Sequence, residues 1–224
     1  MTLRRIVFGE PKPGEQTFAG ILSKLDESIS YCNRTGPLEH DRVTDLPFAV
    51  PALGLDFVHP TPLQFVSAAP PPGDDWGVFA EHHMPLYDEG IRALNPDDPG
   101  NLHVVCAQLC RGIYAYPTDP PMTWNHRENT AGIEWGIKYD GQRAYAVFRG
   151  SDSILDWIRD LVGFAPSVST ENFGQMWGGF IIGMEYAWGV IAPLVKGYDE
   201  IVFTGHSLGA ARADIAAGYA IQAI

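Results

Sequence analysis

The sequence predicts an α/β protein, a sheet with flanking helices, and three observations carry that expectation. Ile201-Val202-Phe203 is an all-apolar run that passes through Gly205-His206-Ser207-Leu208-Gly209 into a helical pattern rich in small residues. A strand with no polar alternation belongs in the middle of a parallel sheet, buried on both faces. Second, Ile133–Lys138 and Arg143–Phe148 are strand-like runs on either side of Tyr139-Asp140-Gly141-Gln142. Asp-Gly between such runs signals a hairpin. Third, Leu102, Val105, Cys106, Leu109 and Ile113 recur at helical spacing, as in a helix that lays one side on a sheet.

Bulk properties narrow the function. The 224 residues are 46% hydrophobic and 19% charged, enough for one sizeable core and an appended region. A net charge of -12 and a pI near 4.8 repel phosphate backbones, which disfavours nucleic acid as a partner. The same charge disfavours electrostatic docking on anionic membranes, so any lipid contact must be apolar. Three cysteines are an odd count without paired spacing, which fits a reducing compartment. Cys106 and Cys110 lie on one helix side. With no Cys or His pair at suitable spacing, they read as buried helix cysteines rather than metal ligands. The first ten residues start basic but contain no apolar run of signal length, and no stretch reads as a transmembrane span. A cytoplasmic protein without a cofactor is the expectation.

Taken in order, residues 1–100 stand apart. Ten of the 18 prolines fall between Pro11 and Pro72. Phe18, Ile21, Leu22, Leu25 and Ile29 predict a helix over about Gly14–Asn33. Pro37–Pro72 reads as extended coil with apolar anchors at Phe48, Leu53, Phe57 and Phe65, closed by Pro70-Pro71-Pro72-Gly73. Helices follow over about Pro85–Leu94 and Asn101–Tyr116, then a loop to Thr130 and the hairpin. A short amphipathic segment at 152–162 and a long helix over about Glu171–Lys196 lead to the last strand. Two segments result: an N-terminal extension packed on the core (1–100) and an α/β domain (101–224).

Gly205-His206-Ser207-Leu208-Gly209 carries the chemistry. A serine hydroxyl is a weak nucleophile; to react it must stand clear of the sheet, near a base and an oxyanion hole. G-x-S-x-G between a strand and a helix does this on a strained turn whose glycines relieve crowding. The second informative stretch is Phe148-Arg149-Gly150-Ser151 followed by Asp156-Trp157-Ile158-Arg159-Asp160-Leu161. There Asp152, Asp156, Arg159 and Asp160 oppose Ile154, Leu155, Ile158, Leu161 and Val162, with Trp157 at the edge.

Together with Gly179-Phe180 and G-H-S-L-G, these motifs resemble the class 3, fungal-type lipases of the α/β-hydrolase fold, over roughly residues 101–224. The resemblance implies Ser207 as nucleophile and the backbone N–H groups of Ser151 and Leu208 as oxyanion donors. It implies a lid whose apolar side (Ile154, Trp157, Ile158, Leu161) meets a lipid–water interface, with Asp160 supporting Ser151. Ala210 stands where the family commonly has a second glycine, and Trp177 near a position often held by histidine.

In α/β-hydrolases the acid and then the histidine follow the serine, yet only seventeen residues follow Ser207. His40, His59, His82, His83, His103 and His126 all precede it, and no motif marks one as the base. His82-His83 reads as a solvated loop pair, with a metal pair as the alternative. The expectation is therefore a hydrolase sheet incomplete on its C-terminal side, truncated after the nucleophile helix. On that reading the last strand lies near an exposed edge and the triad Asp and His are absent. Function is expected to be serine hydrolysis of lipid esters through an acyl-enzyme. The alternative is an inactive lipase-like module that binds lipid or a partner.

Overall fold

A computed structural model describes residues 1–35, 40–46, 57–70, 82–151 and 167–223. Its centre is a seven-stranded sheet in the order β3-β2-β1-β9-β6-β5-β4. The strands are β1 (Thr2–Phe8), β2 (Glu27–Asn33), β3 (Leu63–Val66), β4 (His126–Thr130), β5 (Ile133–Asp140), β6 (Arg143–Phe148) and β9 (Glu200–His206). From β3 across to β6 all neighbours pair parallel; β5 and β4 add an antiparallel edge. The expected hairpin is β5–β6, turning at Gly141 with φ +57°. β7 (Ser167–Thr170) and β8 (Gly174–Trp177) form a separate two-stranded ribbon.

Alternation along each strand feeds two cores. Leu3 and Val7 of β1, Ala144, Ala146 and Phe148 of β6, and Ile201 and Phe203 of β9 face one side. There they meet α1 (Gln16–Leu22), α4 (Gly178–Ile181), α5 (Met184–Val195) and α6 (Leu208–Gln222). Ile6, Phe8, Tyr145, Val147 and Val202 face the other side, against α2 (Met84–Leu94) and α3 (Leu102–Tyr114). Cys106 and Cys110 are free thiols buried in this second core, as their spacing implied.

The small residues of α6 let it sit close to its neighbours. A Cβ on Gly209 would lie 2.1 Å from the Phe148 carbonyl oxygen. Arg5, also on the α6 side of β1, is fully buried between Asp214 of α6 and Glu10, and donates to Ser30 Oγ at 2.9 Å. An arginine out of water requires such partners, and this one ties α6 to the N-terminal strands. Burial, reinforced by the nearby Glu10, holds the Asp214 carboxyl well above its ordinary range against the pull of Arg5.

Several expectations change. β9 is not near an edge: β1 covers one side of it and β6 the other. The first hundred residues do not form an extension laid on the core, since β1, β2 and β3 are three strands of the same sheet. The helix expected over Gly14–Asn33 stops at Leu22, and Glu27–Asn33 is a strand. There the Ser28, Ile29, Ser30, Tyr31 alternation outweighs the helical spacing of Leu25 and Ile29. The loop before Thr130 contains β4, and the long helix expected from Glu171 is the β7–β8 ribbon followed by α4 and α5. By length and composition Gly178–Val195 could cross a membrane, with mean hydropathy 1.4 over 18 residues, which the sequence reading did not register. In the fold this segment bends at Gly183 (φ +83°) and buries Phe180, Met184, Ala187, Ile191 and Val195 against the sheet.

Candidate active site

The site lies at the carboxyl ends of the parallel strands, where ligands of open α/β sheets bind. β9 ends at His206, and the chain turns through Ser207 into α6. Ser207 has φ +61° and ψ -131°, a conformation that costs a non-glycine residue about 1–3 kcal/mol. The flanking glycines are required by contact. A Cβ at Gly205 would lie 2.2 Å from the Gly209 carbonyl oxygen. The serine is pinned as well, since its backbone N–H donates to the Phe8 carbonyl at 3.0 Å and its carbonyl accepts from Ala210 N at 2.9 Å.

Two side chains from the N-terminal half meet beside this turn. Asp41 caps a short 3-10 turn (Arg42–Asp45), its Oδ1 accepting from Val43 N at 2.9 Å. Its Oδ2 accepts from Nδ1 of His82 at 2.6 Å and from the hydroxyl of Tyr87. Both Asp41 and His82 are buried. Burial alone would raise the Asp41 carboxyl. The facing His82, with the donors from His82, Tyr87 and Val43, holds it below its ordinary value instead. A carboxylate only accepts, so Nδ1 of His82 carries a hydrogen, and in the neutral imidazole Nε2 is the nitrogen with the lone pair. Nε2 is buried and has no hydrogen-bond partner among the described residues.

The dyad and the serine converge on the end of β1. Phe8 receives the Ser207 N–H, and the next residue, Gly9, abuts the dyad. A Cβ on Gly9 would lie 2.7 Å from Asp41 Oδ2 and 2.8 Å from His82 Cε1, and Gly9 has φ +56°. From the other side His206 stacks on His82 with ring centroids 4.5 Å apart, and its Nε2 bonds the His82 carbonyl at 2.7 Å. The third neighbour is the loop after β6. At Gly150 a Cβ would come 2.6 Å from the His206 carbonyl and 3.1 Å from Ser207 Cβ. Ser151 and Leu208, the expected oxyanion donors, thus belong to segments in direct apposition. Asp160 and the lid residues Ile154, Trp157, Ile158 and Leu161 lie outside the described residues. Among the described residues no group of three or more His, Cys, Asp or Glu side chains is arranged to hold a metal ion.

His82 is not a solvated loop residue: it is buried, and its ring packs on that of His206, next to Ser207. Reading by chain order missed this pair, because Asp41 and His82 precede the serine. Read in space from β9 outward, the order is restored: β1 is first, Asp41 follows β2, and His82 follows β3. One signal was present. β1, β6 and β9 each carry a Val-Phe pair followed at once or after one residue by a glycine (Gly9, Gly150, Gly205), as three parallel strands ending at one crowded site would.

The model of the class 3 lipase family matches residues 145–223, about a third of the chain, from β6 to the end of α6. Comparison with curated proteins and with solved structures gave no match.

Proposed function

We propose, from the match of residues 145–223 to the class 3 lipase family model and from the geometry of the site, that the protein is a serine hydrolase of lipid esters. Ser207 is the nucleophile, His82 the general base and Asp41 the group that orients it. The observation that carries this reading is the buried Asp41–His82 pair, its Nε2 without a partner among the described residues, packed on His206 directly before the strained Ser207. Such a constellation is recognised by geometry and roles, not by sequence position.

In the reaction, His82 Nε2 takes the Ser207 hydroxyl proton as Oγ bonds to the ester carbonyl carbon. The carbonyl π pair moves onto oxygen, where the N–H groups of Ser151 and Leu208 receive it. Collapse breaks the ester C–O bond, and the leaving alkoxide takes the proton from His82. Water, deprotonated by the same nitrogen, attacks the acyl-enzyme; its proton returns to Ser207 and the carboxylic acid leaves. Asp41 keeps Nδ1 protonated and stabilises the imidazolium. The apolar side of 152–162 supplies the contact with the lipid–water interface, a role that suits a chain of net charge -12.

The test is turnover of a short p-nitrophenyl ester together with fluorophosphonate labelling. Ser207→Ala and His82→Ala should each lower kcat by about 10⁶ and Asp41→Asn by about 10⁴, the scale of triad deletions. Ser207→Ala should abolish labelling. Undiminished turnover in His82→Ala would remove this reading.

A further inference from the structure

The base is held from two directions, and only one is the Asp41 carboxylate. The other begins at the loop after β6. There the backbone at Gly150 passes against the hydroxyl of Tyr114, at the end of α3, so closely that a Cβ on Gly150 would collide with that oxygen. That hydroxyl bonds His206 Nδ1 at 2.9 Å, and His206 Nε2 bonds the His82 carbonyl at 2.7 Å. A carbonyl only accepts, so Nε2 carries the hydrogen; Nδ1 is then the acceptor and Tyr114 O–H donates to it. The direction of both bonds is therefore fixed: Tyr114 O–H to His206 Nδ1, and His206 Nε2–H to His82 O.

We infer that His206 and Tyr114 are positioning residues that lock the base loop, the serine turn and the loop leading to the Ser151 oxyanion donor into one register. The inference rests on the hydrolase reading above. The bonds and the Gly150 contact touch three different segments of the proposed site. Gly150 directly precedes Ser151, His206 directly precedes Ser207, and the carbonyl belongs to His82 itself. The rings reinforce the bonds, with His206 4.5 Å from His82 and 5.7 Å from Tyr114, centroid to centroid. With both nitrogens engaged and the residue buried, His206 stays neutral: burial, then the neighbouring His82, holds it well below its ordinary value. It thus does not compete with His82 for the Ser207 proton, nor place a second cation beside the imidazolium.

The role predicts a defect in kcat rather than in substrate binding, since the segments it registers act in the transition state. Tyr114→Phe removes one hydroxyl and leaves the ring. It should lower kcat about five- to tenfold, the worth of a single hydrogen bond, with KM within twofold and the melting temperature little changed. His206→Phe keeps a ring but breaks both bonds and should cost about 10²-fold in kcat, the scale of a small misplacement of reacting groups. His206→Gln, which retains an N–H donor, should recover part of that loss. If the bonds form one chain, the Tyr114→Phe, His206→Phe double variant should be no slower than His206→Phe alone.

All variants are compared in the full chain on p-nitrophenyl butyrate, with fluorophosphonate labelling rate as the second readout. A Tyr114→Phe protein with unchanged kcat and labelling rate, beside a His82→Ala protein that is dead, overturns this inference and leaves the hydrolase reading standing. Full turnover in His82→Ala overturns the hydrolase reading, and this inference with it. Tyr114→Phe decides the matter even where His206→Phe does not fold.

Discussion

Gly9→Ala isolates the contact on which the site depends. Gly9 makes no hydrogen bond with its side and carries no functional group, so any effect on rate must come from space and backbone strain. The added Cβ would sit 2.7 Å from Asp41 Oδ2, 2.8 Å from His82 Cε1 and 2.9 Å from His82 Nδ1. Ordinary contact begins near 3.4 Å, so the dyad or the end of β1 must give way by about 0.7 Å. None of the atoms is the loose end of a flexible chain, because Asp41 is held by Val43 N and Tyr87, and His82 by His206. The φ of +56° adds about 1 kcal/mol of left-handed strain, and overpacking adds about 1–3 kcal/mol. Together the loss is about 3 kcal/mol, or about 6–12 °C in melting temperature for a chain of this size. Because the displacement falls on the base, kcat should drop by about 10²-fold, more than the folding defect explains at temperatures where the variant is fully folded. The control is Gly20→Ala on α1, where a Cβ meets nothing within 4 Å; it should leave the rate unchanged and raise stability by up to about 1 kcal/mol. Melting is followed by circular dichroism and turnover with p-nitrophenyl butyrate. A Gly9→Ala protein with wild-type kcat would refute the placement of the dyad against β1.

Two further outcomes follow from the same geometry. Ser207→Gly should abolish turnover yet raise stability by about 1 kcal/mol, read as a higher denaturation midpoint. Relief of about 1–3 kcal/mol of strain exceeds the 0.5–1 kcal/mol entropy of glycine, both taken as rough magnitudes; a lower midpoint would mean the turn is not strained. Acid should destabilise the fold through His206, whose folded value is depressed below the ordinary 6.5. The unfolded chain then binds the extra proton, so the contribution of His206 is complete above pH 6.5 and is lost as pH falls through and below it. The slope is about 1.4 kcal/mol per unit for one proton. Urea midpoints measured between pH 8 and 5 should fall in the wild type and flatten by one proton in His206→Phe; parallel curves would show that His206 is not held neutral.

What the sequence disclosed follows from what local physics can encode. The β5–β6 hairpin was legible because Asp140-Gly141 suits its turn and the flanking runs alternate. The Ser207 turn was legible because Gly205 and Gly209 are dictated by contacts a few residues away. α2 and α3 were legible from helical spacing alone. Asp41 and His82 were not, because their value lies in a long-range meeting: they stand 41 residues apart in the chain and in no motif. β1 was hidden by its charges. Arg4 and Arg5 interrupt the apolar run Leu3–Phe8, and only the fold shows that Arg5 is buried against Glu10 and Asp214. With β1 unread, β9 was left near an edge, whereas β1, β2 and β3 lie on that side of it.

Order along the chain is therefore the wrong guide to this site, and the reason is physical. Catalysis needs a base within reach of the serine, an acid behind the base and donors ahead of it; none of these requirements refers to which residue is synthesised first. A parallel sheet presents the carboxyl ends of all its strands on one edge, so any strand added beside β9 brings the loop that follows it to the same place. β1 brings Gly9, the glycine that lets the dyad approach; β2 and β3 are followed by the segments that bear Asp41 and His82. The buried Arg5–Asp214 contact then ties the Ser207 helix to β1, and through it to the strands that precede Asp41 and His82. Breaking a buried pair by removing one partner costs about 3–5 kcal/mol. The register of the site and the cohesion of the two halves of the sheet thus rest on the same strand.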